Sequence, residues 1–186
     1  MSDLGQQGLF DITRTLLQQP DLGALSDALT RLVRQSALAD SAAIVLWHSG
    51  THRASYYATR DNGKTFEYED ETYLAHGPVR RILSRPEALH CNFEAFRQAW
   101  PRLAESNLYQ PFGHYCMLPL AAEGQIFGGC EFIRTTDQPW SEAEYERLHT
   151  FTQIVAVVAE QIQSRVNNNV DYDLLSRERD NFRILV

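Results

Sequence analysis

Apolar residues recur with a helical period at the start of the chain. The spacing of Leu9, Ile12 and Leu16 predicts a helix that ends before Pro20, because proline cannot continue a helix. Asp21 is suited to cap a second predicted helix. The apolar stripe of this second helix comprises Leu22, Leu25, Leu29, Leu32 and Val33. Two amphipathic helices are therefore expected to open the chain.

Runs of β-branched and apolar residues follow the two helices. SAAIVLWH (41–48) and RASYYATR (53–60) predict a strand hairpin. Asn62-Gly63 is a strong tight-turn signal, and a weaker third strand is predicted around residues 65–68. The segment HGPVRRILS predicts a loop that enters a short helix, with Pro78 at its first position. ALHC is a short strand candidate, and NFEAFRQAWPRLAESN predicts a helical or irregular excursion.

The clustered glycines of PLAAEGQIFGGCEFIR (119–134) raise the question of a nucleotide-binding loop. A phosphate loop requires GxxxxGK followed by Ser or Thr, and Gly124 and Gly129 have the required separation. Cys130 and Glu131 stand where Lys and Ser or Thr are needed, and a carboxylate there would repel phosphate. The dinucleotide pattern GxGxxG is also missing. The sequence therefore argues against phosphate binding by this segment.

The same segment is better explained as part of a second strand hairpin. HYCMLPLAA (114–122) and QIFGGCEFIR (125–134) predict two strands joined at Glu123-Gly124. Gly124 suits a turn that requires positive φ. Gly128 and Gly129 are expected to let a neighbouring group pack closely on the strand.

A long amphipathic helix is predicted to close the domain. Ser141 and Glu144 form a capping box at its start. A heptad seam follows, formed by Leu148, Phe151, Val155, Val158, Ile162 and Val166. After the run of asparagines at 167–169 a more polar stretch resumes and stops without a cap. We therefore expect a fragment of a longer protein, and a seam able to dimerise or to dock another domain.

Composition narrows the class of protein. The net charge of −7 argues against a nucleic-acid-binding surface, which is normally a basic stripe. The three cysteines form no CxxC motif and suit a reducing cytoplasm. No apolar run has the length needed to span a bilayer. These features predict a soluble cytoplasmic protein, and no local motif suggests an enzyme.

Three stretches resemble the GAF family of sensory domains. They are HGPVRRILSRPEALHC, GHYCMLPLAAEGQIFGGCEFI and PWSEAEYERLHTFTQIVAVVAEQI. The resemblance implies an α+β fold: a central antiparallel sheet with helices packed on one face, a ligand pocket on the other and a long C-terminal helix. The implied organisation is an N-terminal helix at 1–20, a GAF-like sensory domain at 21–166, and a linker or start of a signalling helix at 167–186.

The whole chain also resembles the N-terminal region of sigma-54-dependent bacterial activators that respond to formate. MSDLGQQGLFDITRTLLQQPDL and YEDETYLAHGPVR carry much of this resemblance. It implies a sensory role with formate as the effector and no other cofactor. It also implies a downstream ATPase domain and a DNA-binding domain, both outside these residues. The seam further predicts a homo-oligomer formed through the C-terminal helix.

A small anion needs focused donors, such as an arginine fork or a helix N-terminus. HGPVRRI offers both, with His76 at the helix entrance and Arg80 and Arg81 in the first turn. Successive helical residues point about 100° apart, so at most one of these arginines can face a pocket. The alternative is that both are solvated and oppose the acidic residues of YEDE.

Three further residues are candidates for ligand contact. Glu131 is a carboxylate within an apolar strand, where it could line a pocket, pair with an arginine or face water. Tyr56 and Tyr57 point to opposite faces of their strand, and we take Tyr57 as a candidate donor. His114 is the third candidate.

Two cysteines form a possible redox pair. His114 and Cys116 share one face of their strand, and a loop at 122–124 would place Cys116 opposite Cys130. Both thiols could equally be small buried hydrophobes, and with one histidine they fall short of a recognised metal spacing. A Cys-based redox sensor and a ligand-free interaction module are thus the alternatives to a formate sensor.

Overall fold

Two helices begin the fold, as the apolar stripes predict. The computed structural model describes residues 6–48, 53–59, 65–69, 77–105 and 109–184. Helix α1 spans Gln6–Leu17 and α2 spans Leu22–Gln35. The side chain of Asp21 caps α2 by accepting a hydrogen bond of 2.8 Å from the backbone of Ala24. The predicted cap is therefore confirmed.

A six-stranded antiparallel sheet forms the centre of the domain. Its strand order is β3-β2-β1-β6-β5-β4. The strands are β1 (Ser41–His48), β2 (Arg53–Thr59), β3 (Thr65–Glu69), β4 (Leu89–Asn92), β5 (His114–Ala122) and β6 (Gln125–Arg134). Both predicted hairpins and the weaker third strand are confirmed. The turn signal at residues 62–63 lies outside the described residues.

The β5–β6 hairpin turns at Glu123 and Gly124, whose φ angles are 50° and 79°. A register shift between Leu120 and Ala121 interrupts the pairing of the two strands. A Cβ atom on Gly128 would lie 2.1 Å from the backbone oxygen of Val45 in β1. The prediction that this glycine permits close packing is therefore confirmed.

Four further helices complete the described fold. They are α3 (Pro78–Ser84), α4 (Phe93–Ala99), α5 (Pro101–Ala104) and α6 (Glu142–Ile184). Ser141 and Glu144 form the predicted capping box, in which the Ser141 backbone donates to Glu144 Oε2 at 2.8 Å. The backbone of α6 stays helical through residues 167–169, where the sequence predicted the beginning of a linker or signalling helix. Among the described residues no helix is both long and apolar enough to cross a membrane.

The two faces of the sheet bury different side chains. We call the side covered by α1, α2 and α6 the helical face, and its core is mostly aliphatic. The opposite side is the aromatic face, which α3, α4 and α5 cover with residues such as Val79, Phe96 and Leu103. The α+β architecture is confirmed, and short helices also cover the second face.

The predicted heptad seam is mostly used within the domain. Leu148, Phe151, Val155, Val158 and Ile162 are all 3% exposed or less and join the core of the helical face. Val166 is 56% exposed, and Val157 beside the seam is 52% exposed. The expectation that the whole seam is free to dimerise is therefore wrong, because the sheet itself needs an apolar cover on this side.

Arg134 links β6 to the segment before β1 and to the start of α6 at one corner of the helical face. Its guanidinium donates to Glu144 Oε1 at 2.8 Å and to the backbone oxygen of Leu38 at 3.0 Å, and it lies over the ring of Trp140. The pKa of Glu144 is lowered to about 2. The largest cause is the hydrogen bond from the Ser141 backbone, and the hydrogen bond and charge of Arg134 act in the same direction. This corner joins the end of β6 to the start of α6.

Candidate functional site

Glu131 is a carboxylate buried at the centre of the aromatic face. It lies on β6 between Ala43 of β1 and Met117 of β5, and it is 1% exposed. Its neighbours Cys130 and Phe132 belong to the core of the helical face. Alternation along the strand therefore directs Glu131 to the opposite side.

The hydroxyls of Tyr109 and Tyr115 donate hydrogen bonds to this carboxylate. The Tyr109 hydroxyl lies 2.8 Å from Oε1 and 2.9 Å from Oε2 of Glu131. The Tyr115 hydroxyl lies 2.6 Å from Oε1. Hydrogen bonds to an ionised acceptor are short and roughly twice as strong as neutral ones. We call Tyr109, Tyr115 and the carboxylate between them the tyrosine cage.

Aromatic packing fixes the two tyrosine rings. The ring of Phe96 lies 4.9 Å from that of Tyr109 and 5.1 Å from that of Tyr115, measured between centroids. Phe112 packs edge-on against Phe96 at 5.3 Å. Tilted and edge-on pairs of this kind are favourable beyond the area they bury. The hydroxyls are therefore held in position by side chains from α4 and from the segment between α5 and β5.

Tyr56 extends the polar group on this face. Its pKa is raised well above the ordinary value by burial first, and then by the charge of Glu131 and a hydrogen bond to it. A hydrogen bond with Tyr109 acts in the opposite direction. Tyr56 therefore stays a neutral phenol and a hydrogen-bond donor at ordinary pH.

The chemistry of the cage is that of anion recognition. Phenol hydroxyls are neutral donors, and here they converge on both oxygens of one planar carboxylate. Within the described part of the chain, no group of three His, Cys, Asp or Glu residues is placed to hold a metal ion. The cage is thus suited to hold a carboxylate by hydrogen bonding.

A separate cleft of about 300 Å³ opens near the start of α6. His90 packs on Tyr145 with 4.7 Å between ring centroids, and His114 lies edge-on to Trp140 at 6.5 Å. Burial lowers the pKa of His90. Glu142, in the first turn of α6, also lines the cleft and disfavours an anion there. The cleft is therefore a poorer candidate for a carboxylate than the cage.

The sequence model of the GAF domain matches residues 21–161. The chain belongs to the GAF domain family. The match covers the sheet, α2 to α5 and the first part of α6, and so includes the tyrosine cage.

Similar full-length proteins place such a GAF domain in larger chains. All 186 residues are 78% identical to part of the formate hydrogenlyase transcriptional activator of Salmonella typhimurium strain LT2. The identity to the formate hydrogenlyase transcriptional activator FhlA of Escherichia coli strain K12 is 72% over the same length. In each case the chain spans 27% of the relative's length.

Solved structures support the fold at low sequence identity. The GAF domain of an Acinetobacter phosphoenolpyruvate-protein phosphotransferase superposes with a TM-score of 0.66, at 16% identity. The alignment covers 88% of this chain and 97% of that one. The corresponding Coxiella burnetii GAF domain gives a TM-score of 0.64 at 15% identity, covering 87% of this chain and 95% of that one.

Of the three candidate residues near α3, two lie in the described part of the chain. Arg80 and Arg81 are both exposed on this helix. His76 lies outside the described residues. Glu131 is buried with tyrosine partners, so the alternative in which it faces water is wrong.

Two other candidates lie on the helical face, away from Glu131. Tyr57 is half-buried and packs against the aliphatic core, whereas its neighbour Tyr56 faces the cage. His114 Nε2 lies 3.5 Å from an oxygen of Asp137. A ligand of three heavy atoms cannot contact both faces of a sheet, so Tyr57 and His114 do not share a site with Glu131. The remaining candidates stay predictions.

The cysteine register differs from the expectation. Cys116 pairs with Phe132, and Cys130 pairs with Leu118, so the prediction that the two cysteines lie opposite one another is wrong. The two-residue turn and the register shift near Ala121 displace the pairing by two residues. Diagonal neighbours in a sheet lie about 7–8 Å apart, a separation that disfavours a disulfide without backbone movement. Burial also raises the pKa of both thiols. The redox pair stays a prediction.

The tyrosine partners of Glu131 were missed by sequence reasoning. Tyr115 carries a usable signal, because it alternates with His114 and Cys116 and so faces the other side of the sheet. Tyr109 lies 22 residues from Glu131, in a segment with no regular pattern. No periodicity in the chain indicates that contact.

Proposed function

We propose that this chain is the N-terminal sensory domain of a cytoplasmic transcriptional activator that induces formate hydrogenlyase genes in response to formate. The observation that carries the proposal is the 78% identity, along all 186 residues, to the Salmonella activator of that name. At this identity the buried side chains of the two proteins are expected to occupy equivalent places. The domain acts in this proposal as a regulator and not as an enzyme.

The output functions belong to other parts of the activator. In the proposal, a downstream ATPase domain of the same chain remodels sigma-54 RNA polymerase, and a further domain binds DNA. The GAF domain itself contacts neither nucleic acid nor membrane. Helix α6 supplies a physical route for the signal, because it forms part of the core at Leu148 and stays helical to Ile184. A ligand that favours one arrangement of this helix shifts the state of whatever it joins.

The size of formate limits its affinity. At about −1.5 kcal/mol for each of its three heavy atoms, binding reaches roughly −4.5 kcal/mol, which corresponds to a dissociation constant near 1 mM. Contacts proposed for this anion involve His76, Arg80 or Arg81 at the start of α3, or the cage at Glu131. Tyr57 and His114 lie on the other face and belong to a different surface.

The proposal is tested by the thermal unfolding midpoint of the 186-residue chain in about 100 mM sodium formate. Sodium acetate and sodium chloride at the same ionic strength are the references. A selective rise of a few degrees in formate is expected from mass action. Equal midpoints in the three salts would remove formate sensing from this domain.

Single variants then locate the contact. Arg80→Gln and Arg81→Gln lie on exposed positions of α3, so each variant is expected to stay folded. Loss of the formate shift in one of them identifies an arginine that contacts the anion. Arg102→Gln, at an exposed arginine of α5, is the matched control and should leave the shift unchanged.

An interaction module is a second candidate, because several large apolar residues on helices α1 and α6 are exposed. The exposed fractions are 65% for Phe10, 46% for Leu17, 52% for Val157 and 56% for Val166. These helices also contact one another. Val157 and Val166 are nine residues apart and so point to opposite sides of α6. We propose that a homodimer forms through the side of α6 that carries Val157. Sedimentation equilibrium should then show a dimer that the Val157→Lys substitution dissociates, with little change in monomer stability, whereas a monomeric wild type contradicts the idea.

A further inference from the structure

The tyrosine cage has the properties of a binding site that is filled by the protein's own side chain. Its hydroxyl donors come from β5, from the segment before it and, through Tyr56, from β2, while the carboxylate comes from β6. Tyr109 and Tyr115 are 4% exposed or less, and the carboxylate is 1% exposed. The group being recognised is a carboxylate held by a flexible side chain, and a free carboxylate presents the same two oxygens.

We propose that Tyr109 and Tyr115 form a carboxylate-binding site whose resident ligand is Glu131, and that a small monocarboxylate such as formate occupies it when Glu131 withdraws. The inference that these tyrosines recognise a carboxylate depends only on their hydrogen bonds to Glu131. The choice of formate as the natural occupant rests on the proposed function.

The donors are arranged before any ligand arrives. Phe96 packs on both tyrosine rings, so little rotational freedom remains to be lost when the hydroxyls bind an anion. Tyr109 spans both carboxylate oxygens, while Tyr115 donates to one of them. This arrangement favours a planar two-oxygen anion over a spherical ion such as chloride.

The dimensions limit the occupant. Truncating Glu131 to alanine removes one methylene and the carboxylate, a fragment of the size of acetate. Formate is one carbon smaller and fits the same space. The walls formed by Ala43 and Met117 belong to neighbouring strands of a hydrogen-bonded sheet, so the space has little room to expand for a larger acid.

Competition with Glu131 sets the expected affinities. An attached carboxylate acts at a high effective concentration, so it opposes a free anion in the wild type. Removing it should therefore tighten formate binding at the cage by at least about tenfold, toward the limit near 1 mM that the size of formate sets.

The test uses the 186-residue chain with the Glu131→Ala substitution. Unfolding midpoints are measured in about 100 mM sodium formate, acetate, benzoate and chloride. We expect formate and acetate to raise the midpoint of the variant by about 3–6 °C above chloride, as for a dissociation constant near 10 mM or below. Benzoate should behave as chloride does, because its ring exceeds the space.

Further variants tie the effect to the cage. In Glu131→Gln the amide keeps the space filled, so no carboxylate shift is expected. Adding Tyr56→Phe, Tyr109→Phe and Tyr115→Phe to Glu131→Ala removes all three hydroxyls that bond Glu131 and should abolish the shift. The proposal is overturned if formate and acetate match chloride in Glu131→Ala, or if the shift survives the loss of the three hydroxyls.

A folding defect does not leave the question open. If Glu131→Ala is unfolded in chloride, it is refolded from urea into formate, acetate or chloride and followed by circular dichroism. Recovery in the two carboxylates alone supports the site, and failure in all three overturns it. A shift in Glu131→Ala with an unresponsive wild type supports the cage while removing formate sensing from the wild-type domain.

Discussion

Each face of the sheet carries a buried core among the described residues, yet the two cores are built from different chemistry. The helical face is covered by aliphatic side chains of long helices, such as Leu29 and Val155. The aromatic face is covered by rings from short helices and irregular segments, such as Phe96, and it encloses the carboxylate of Glu131. A buried polar network makes stability depend on every partner being present. The aromatic face is therefore the side where a change in one group can alter the state of the domain.

The largest losses of unfolding free energy are expected from substitutions in the packed core on each face. Phe132 on the helical face and Phe96 on the aromatic face are both fully buried. Phe132→Ala and Phe96→Ala should each lower the unfolding free energy by about 3–5 kcal/mol, measured by urea unfolding. Phe10→Ala, at a site that is 65% exposed, is the control and should cost about 0.5 kcal/mol or less. A cost below about 1 kcal/mol for Phe96→Ala would show that the aromatic face is loosely packed in solution.

A smaller pair of substitutions compares one buried hydroxyl on each face. The Tyr115 hydroxyl donates to a carboxylate, whereas the Thr30 hydroxyl donates to the backbone oxygen of Ala42 at 3.0 Å. Tyr115→Phe should cost about 1.5–3 kcal/mol and Thr30→Val about 0.5–1.5 kcal/mol, because bonds to charged acceptors are stronger. Urea midpoints at pH 7 measure both. Equal costs would mean that Glu131 is not held as an ion.

A modest effect at pH 7 is expected for the carboxylate of Glu144, at the corner of the helical face. Glu144→Gln weakens the capping box and the contact with Arg134, and should cost about 1 kcal/mol. The pKa of Glu144 is lowered from 4.5 to about 2, so its stabilisation is present above about pH 4.5 and is lost as pH falls through about 2. The urea midpoint of the wild type should therefore fall more steeply over this range than that of the variant.

The neighbouring exposed acid provides the reference for that pH profile. Glu142→Gln removes a carboxylate from the same turn of α6 without touching the pair. Its profile should follow the wild type. Parallel curves for wild type and Glu144→Gln between pH 4.5 and 2 would contradict the assignment.

Local signals were enough to predict the elements of the fold. The apolar stripe of α2, the cap at Asp21 and the box at Ser141 each depend on residues within one or two helical turns. The turn at Gly124 depends on the positive φ that glycine tolerates. Such features are properties of short segments, so a single sequence reveals them.

Features that depend on distant pairing escaped the sequence. The contact of Tyr109 with Glu131 joins residues that no repeat relates. The register of Cys116 was misplaced because turn length and an irregularity near Ala121 each shift the pairing of the hairpin. The seam at Val155 was assigned to a partner because a heptad pattern does not reveal which surface it meets. The candidate site therefore required the assembled sheet.

The backbone of helix α6 is helical without interruption from Glu142 to Ile184. Its 43 residues extend about 64 Å at 1.5 Å per residue, and its hydrogen-bonded ladder continues through residues 167–169. A bend at residues 167–169 would uncouple the two ends of the helix. An unbroken helix would instead transmit a rotation of its first turns to its last turn. The angular phase of the last turn is thus set by how the first turns sit on the sheet, and inserting one residue would offset that phase by about 100°.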